Sequence, residues 1–233
     1  MKILALAIAL AAQAAAAYLP CGLGAPPGTR EFAAQRTREA DEVARKGYRT
    51  VCEANLERYD LRSRLKPLAS ASKELAFKPV ELAGTPFARW QSLGGLPETV
   101  GDVKSRFYRS FRDPKGRTVT LFEHDMSADG SSAYRDPKDE PERVNGLPAR
   151  LVVLQAQKKA ASVLSWTEGR RAYELWIDAN VVLDRSRQEM FALAASLPKA
   201  IPARPNAPRP APPRLGPDGL PIIQPPVPPL PGT

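Results

Sequence analysis

Residues 104–121 read KSRFYRSFRDPKGRTVTL, and this stretch decides the fold prediction. Before the turn, Phe107 and Phe111 share one strand face, and apolar side chains return at alternate positions after it. The intervening residues 113–116, Asp-Pro-Lys-Gly, place proline and glycine where a β-turn prefers them. The stretch therefore predicts an antiparallel β-hairpin.

A second hairpin and a final helix are predicted towards the C-terminus. Residues 151–177 begin with the continuous apolar run LVVL, which is typical of a buried strand, and two further apolar segments flank a Glu-Gly turn at 168–169. Residues 186–189 match the Ser-x-x-Glu capping box that begins a helix, and Pro198 would end it.

The N-terminal part of the chain predicts a long helix. Residues 29–59 contain no proline and are rich in Ala, Glu, Arg and Gln. Gly47 weakens the middle of this segment, so two shorter helices are the alternative. The whole order predicts an α+β fold: a long N-terminal helix in a helical segment 18–62, then a domain 63–198 with an antiparallel sheet of two hairpins and a C-terminal covering helix. The tail 199–233 is predicted to be disordered, because 14 of the chain's 25 prolines lie in the last 36 residues.

The first seventeen residues, MKILALAIALAAQAAAA, predict export. Lys2 provides a positive start, an apolar run follows, and three alanines end at Ala17 as a small-residue cleavage site. This pattern is typical of a secretory signal peptide, so the expected location is periplasmic or secreted. An uncleaved signal anchor is the alternative, because the apolar run continues to Leu19.

The formal charge of +9 favours anionic partners. An exported protein is not expected to bind nucleic acid. The predicted partner is instead an envelope protein or an anionic envelope component, and peripheral contact with a membrane surface is included. The cations concentrate in the first hairpin, with one acid, Asp113, among them. The candidate anion-binding residues are Lys104, Arg106, Arg109, Arg112, Lys115 and Arg117. The alternative is a sheet edge that cations keep soluble.

Two cysteines, Cys21 and Cys52, remain after the predicted cleavage. An even pair in an oxidising compartment predicts one disulfide bond. Lipidation of Cys21 is the alternative, although Pro20 stands where a lipoprotein signal prefers a small residue.

No catalytic constellation is recognisable, so the sequence predicts a protein without enzymatic activity, metal or cofactor. The chain has one histidine, His124, and no P-loop, dinucleotide fingerprint or Gly-x-Ser-x-Gly elbow. Carboxylates that could serve a hydrolase are Glu123, Asp125, Asp129 and Glu168. A secreted hydrolase with such a site, and a structural spacer that uses the Pro-rich tail, are the alternatives to a binding or interaction module.

Residues 144–198 carry a resemblance. The segments VNG at 144–146, LSWTEG at 164–169, YEL at 173–175 and LAASLP at 193–198 resemble an uncharacterised bacterial extracytoplasmic domain found in anti-sigma-factor-like and other envelope proteins. The resemblance implies a sensing or protein-interaction module. The chain departs from those regulators, since it has no cytoplasmic zinc-binding segment or internal membrane helix.

Overall fold

The structure is a computed structural model that describes residues 24–133 and 137–199. The predicted signal peptide, Cys21 and the Pro-rich tail beyond Lys199 lie outside the described residues.

Eight strands in the described part of the chain form one mixed sheet, in the order β1-β6-β7-β8-β4-β3-β2, with β5 paired to β6. Neighbouring strands are antiparallel except for β1 and β6, which are parallel. The strands are β1 Arg49–Thr50, β2 Gln91–Val100, β3 Val103–Arg112, β4 Thr118–Asp125, β5 Glu142–Val144, β6 Leu147–Gln155, β7 Ala160–Glu168 and β8 Arg171–Ile177. The α-helices are α1 Arg30–Lys46, α2 Leu68–Lys73, α3 Met126–Asp129 and α4 Arg187–Ala195.

The predicted α+β architecture with an antiparallel sheet of two hairpins is wrong, because a single larger mixed sheet dominates the structure. Strands β3 and β4 pair across the predicted turn, but β4 also pairs along its other edge with β8. Residues 91–100 contain two glycines and a proline, which disfavour a long strand, yet they form β2. Register shifts at two places in β2 show how the sheet accommodates them.

The predicted long N-terminal helix is also wrong. Helix α1 ends at Lys46, because Gly47 takes a left-handed conformation with φ 77° and caps it. Strand β1 then pairs with β6, and residues 53–59 form a 3₁₀ helix. Helix α1 buries none of its residues, so no apolar stripe holds it to the sheet. Instead, Glu39 pairs with Arg49 at 2.6 Å and Glu42 accepts a hydrogen bond from the Thr50 hydroxyl at 2.6 Å.

The sheet has two faces with different coverings. The first face carries Phe111, Leu121 and Leu175, and helix α4 covers it with Met190 and Leu193. The second face carries Val163 and Trp176, on which residues 51–65 pack. The Tyr59 ring meets the Trp176 ring edge-on, with 5.0 Å between centroids. Residues 51–65, the 3₁₀ segment, therefore form a wall over the second face.

Candidate functional site

The structure does not bring the six predicted anion-binding cations together on one surface. Two of them are on the second face: Arg106 lies opposite His124, and Arg112 donates to the Gly116 carbonyl at 2.8 Å and to the Thr118 hydroxyl at 3.3 Å. The other four are in ion pairs with acids from several elements. These pairs are Lys104 with Glu74, Lys115 with Glu189, Arg117 with Asp113, and Arg109 with Glu123.

Arg109 belongs to a buried ion network on the first face. Its guanidinium donates to Glu123, which is fully buried and also accepts from Arg171 at 2.9 Å and from the Val80 backbone at 2.8 Å. A signal for this burial was present in the sequence, because Arg109 alternates in step with Phe107 and Phe111. Arg109 therefore stabilises the interior and is not available to a partner.

The structure also does not bring the candidate hydrolase residues together in one site. Glu123 and Asp125 lie on the first face, where both are fully buried and engaged by arginines. His124 lies on the second face, and Glu168 lies at the end of β7. Of the four candidate carboxylates, it is Asp129 that contacts His124, with its oxygen 2.7 Å from Nε2.

Asp129 holds a small polar cluster beside His124. The hydroxyl of Ser105 donates to this carboxylate at 2.5 Å, and the Ser131 backbone donates at 2.9 Å. Burial alone would raise the pKa of Asp129, but hydrogen bonds from Ser105, Ser131 and His124 outweigh it and hold the pKa well below the usual range. Asp129 and Ser131 both contact Nε2, whereas a Ser-His-Asp relay has its carboxylate on one ring nitrogen and its serine on the other. The cluster is therefore not such a relay.

A cleft of about 320 Å³ lies between the 3₁₀ segment and the second face of the sheet. Leu56 and Tyr59 line it from the segment, and Ala161 and Trp176 line it from the sheet. These side chains form an apolar and aromatic wall. A volume of this size is at the lower end of the range for small-molecule sites, which combine mostly apolar walls with a few polar groups.

Two hydroxyls form the polar part of the cleft wall. Ser110 and Thr120 lie directly opposite each other on β3 and β4, with side-chain oxygens 2.8 Å apart. The residues are 1% and 3% exposed. Their mutual hydrogen bond uses one of the two hydroxyl hydrogens, and the other has no acceptor among the described residues. A buried donor of this kind is costly unless something accepts from it.

Charged side chains surround the cleft. Lys158 and Lys159 come from the β6–β7 turn, and Arg62 and Asp60 come from the segment. Arg62 is engaged with Asp60 through two hydrogen bonds, of 2.8 and 2.5 Å. Asp178 accepts from the Thr118 backbone at 2.7 Å.

Sequence reasoning missed this cleft. Its residues come from the 3₁₀ segment, five strands and the β6–β7 turn, so no contiguous motif marks them. The available signals were the small hydroxyl residues Ser110 and Thr120 on the strand face opposite to Phe107 and Phe111, and the Lys-Lys pair at 158–159.

Comparisons of the chain with protein-family models, with curated proteins and with solved structures found no match. The resemblance of residues 144–198 to an extracytoplasmic domain therefore stays a prediction. Within residues 24–133 and 137–199, no helix is long and apolar enough to cross a membrane. The same residues contain no cluster of three or more His, Cys, Asp or Glu side chains placed to bind a metal ion.

Proposed function

We propose that this chain is an exported, non-enzymatic binding protein of the bacterial envelope, and that it takes a small ligand into the cleft over the second face. The observation that carries the proposal is the Ser110–Thr120 pair, which leaves a buried hydroxyl hydrogen without an acceptor in the wall of a cleft. A bound ligand with an acceptor oxygen would satisfy that hydrogen.

The cleft supports binding in two further ways. Its aromatic wall is held in place, because Tyr59 packs against Trp176 and the Trp176 indole donates to Glu174 at 2.7 Å. The site is thus largely preformed, which reduces the ordering cost of binding. The export part of the proposal is supported by the predicted signal peptide alone.

The test uses the uncharged dye N-phenylnaphthylamine, whose fluorescence rises in apolar sites, with the mature protein. We expect saturable binding to one site. Thr118→Trp fills the cleft from β4 and should weaken the dye affinity by about tenfold or more, because the apolar wall becomes inaccessible. Thr167→Trp is the matched control: Thr167 is also a half-buried threonine, lies on the same face in β7 and does not line the cleft.

Thermal unfolding of both variants shows whether each is folded. A shape-conserving variant, Ser110→Ala with Thr120→Val, gives a second way to change the cleft without filling it. The proposal fails if the parent protein does not bind the dye, or if Thr118→Trp binds as tightly as Thr167→Trp.

A further inference from the structure

We infer that the ligand is a small single-ring organic acid, with its acidic group at Lys158 and Lys159 and its ring against the Tyr59–Trp176 wall. This inference rests on the proposed function and names the class of ligand that the cleft accepts.

The lysine pair provides the first argument. Neither the Lys158 nor the Lys159 ammonium group has a carboxylate within 4.0 Å in the described part of the chain, in contrast to those of Lys104 and Lys115. Their turn is fixed by its backbone: Ala156 N–H donates to the Lys159 carbonyl at 2.8 Å, and Lys158 N–H donates to Glu53 at 3.0 Å. The two exposed lysines therefore extend from a fixed turn at one edge of the cleft, and Lys159 lies near enough to Asp60 to help lower the pKa of that carboxyl.

The other charges at the cleft do not cancel this pair. Asp60 and Arg62 neutralise each other, and the hydrogen bond from Arg62 lowers the pKa of Asp60 to about 2. Asp178 contributes one negative charge. Among the residues that line the cleft, two lysines against Asp178 leave one net positive charge, which favours an anion; Glu53, which accepts from the Lys158 backbone, is not part of the lining.

The position of the polar groups indicates the shape of the ligand. Strand β8, which carries Trp176, lies between β4 and β7, so the hydroxyl pair and the lysine turn are on opposite sides of the indole. Strands β4 and β7 are two strand spacings apart, roughly 10 Å, and Lys159 lies four residues before Val163, the β7 residue level with Thr120, which adds roughly 13 Å along the strand. The long lysine side chains cover part of this separation, and a single ring with an acidic group at one end and an oxygen at the other covers the rest with its hydrogen bonds. The cleft volume of about 320 Å³ suits such a molecule.

The experiment compares acids with their neutral analogues by calorimetry on the mature protein. One pair is para-hydroxybenzoate and para-hydroxybenzamide, and the other is glucuronate and glucose. We expect one of the two acids to bind about tenfold more tightly than its neutral analogue. The two pairs distinguish an aromatic acid from a sugar acid.

Variants that remove positive charges test whether the lysine pair causes the preference for the acid. Lys158→Gln with Lys159→Gln should abolish the preference for the acid and reduce the salt dependence of its binding. Arg36→Gln with Arg38→Gln is the matched control, since it removes two positive charges from the exposed surface of α1. That control should retain the preference, because α1 does not line the cleft.

The outcomes separate the two proposals. The inference is overturned if neither acid binds more tightly than its neutral analogue, or if the lysine variant keeps the preference. Binding of N-phenylnaphthylamine, which has no charge, then shows whether the cleft itself still accepts a ligand. If the dye binds and the acids do not, the proposed function stands and the ligand class is wrong.

Discussion

At the scale of single residues, the centre of the sheet contains charges that an apolar core would avoid. Glu123 forms ion pairs with Arg109 and Arg171, and Asp125 forms an ion pair with Arg170 at 3.0 Å. Arg171 also donates to the Lys78 carbonyl, and Glu123 accepts from Val80, so the network fastens residues 78–80 to the sheet. Removing one member of such a network leaves the others buried and unpaired.

Glu123→Gln should therefore be strongly destabilising. Glutamine keeps the shape of the side chain but removes the charge that Arg109 and Arg171 share, and leaves Arg171 only the more distant Asp125 at 3.6 Å, a loss of roughly 3–5 kcal/mol. For a domain of this size, the thermal midpoint should fall by about 10 °C, as circular dichroism would measure. Glu81→Gln is the control, because Glu81 pairs with Lys78 at an exposed position and its loss should leave the midpoint unchanged. An equal effect of the two substitutions would contradict the prediction.

Asp129 gives a prediction about pH. Its carboxylate is stabilised in the folded protein by Ser105, Ser131 and His124, so its pKa is lower when folded than when unfolded. The ionised group therefore stabilises the fold above about pH 4, the unfolded pKa, and this stabilisation is lost as the pH falls through the folded pKa. Asp129→Asn should cost roughly 1.5–3 kcal/mol near neutral pH.

Urea unfolding of the parent and Asp129→Asn proteins over a pH series tests this account. The difference in unfolding free energy between them should be constant near neutral pH and should shrink below about pH 4. A difference that stays the same throughout the series would show that the carboxylate charge is not involved.

At the scale of elements, the edge strand β2 depends on close backbone contact with the residues before α2. Lys66 and Gly95 exchange two backbone hydrogen bonds, each of 2.9 Å. Gly94 has φ 126°, and a Cβ atom there would stand 2.4 Å from the Lys66 carbonyl oxygen. This contact explains why glycine, which disfavoured a strand in the sequence, is required in β2.

Gly94→Ala should separate this segment from β2. The substitution combines backbone strain with a clash against a main-chain oxygen, so the loss should exceed about 2 kcal/mol. Gly116→Ala is the matched control: Gly116 also has a positive φ, of 77°, but nothing lies within 4 Å of its added Cβ. It should cost about 1 kcal/mol, from backbone strain alone. Chemical denaturation measures both, and similar losses would show that the contact with Lys66 is unimportant.

At the scale of the whole molecule, the cleft depends on a wall that begins at Cys52. This residue is buried and caps the 3₁₀ helix 53–59, which carries Leu56 and Tyr59 into the cleft. A disulfide to Cys21 would tether that wall to the N-terminus. Its partner lies outside the described residues, so the pairing stays a prediction.

The mature protein should contain this disulfide, and reducing it should lower both stability and dye affinity. Closing a loop of about 30 residues stabilises a fold by roughly 3–4 kcal/mol in the chain-entropy model. Titration of thiols in the denatured, unreduced protein measures the bond directly, and a Cys21→Ser with Cys52→Ser variant gives the loss of stability. Two free thiols in the parent protein would contradict the prediction.

The sequence by itself determined the local elements whose signal is contained within a few neighbouring residues. The alternation in 104–121 places β3 and β4 and their turn, because side chains along a strand point to opposite faces. The tertiary structure alone decided that β4 pairs with β8, that residues 49–50 pair with β6, and that Arg109 is neutralised by Glu123. It also decided the cleft, where Tyr59, Thr120 and Lys158 meet from distant parts of the chain. These features depend on which elements become neighbours, and that choice is made by packing and charge pairing between residues far apart in sequence.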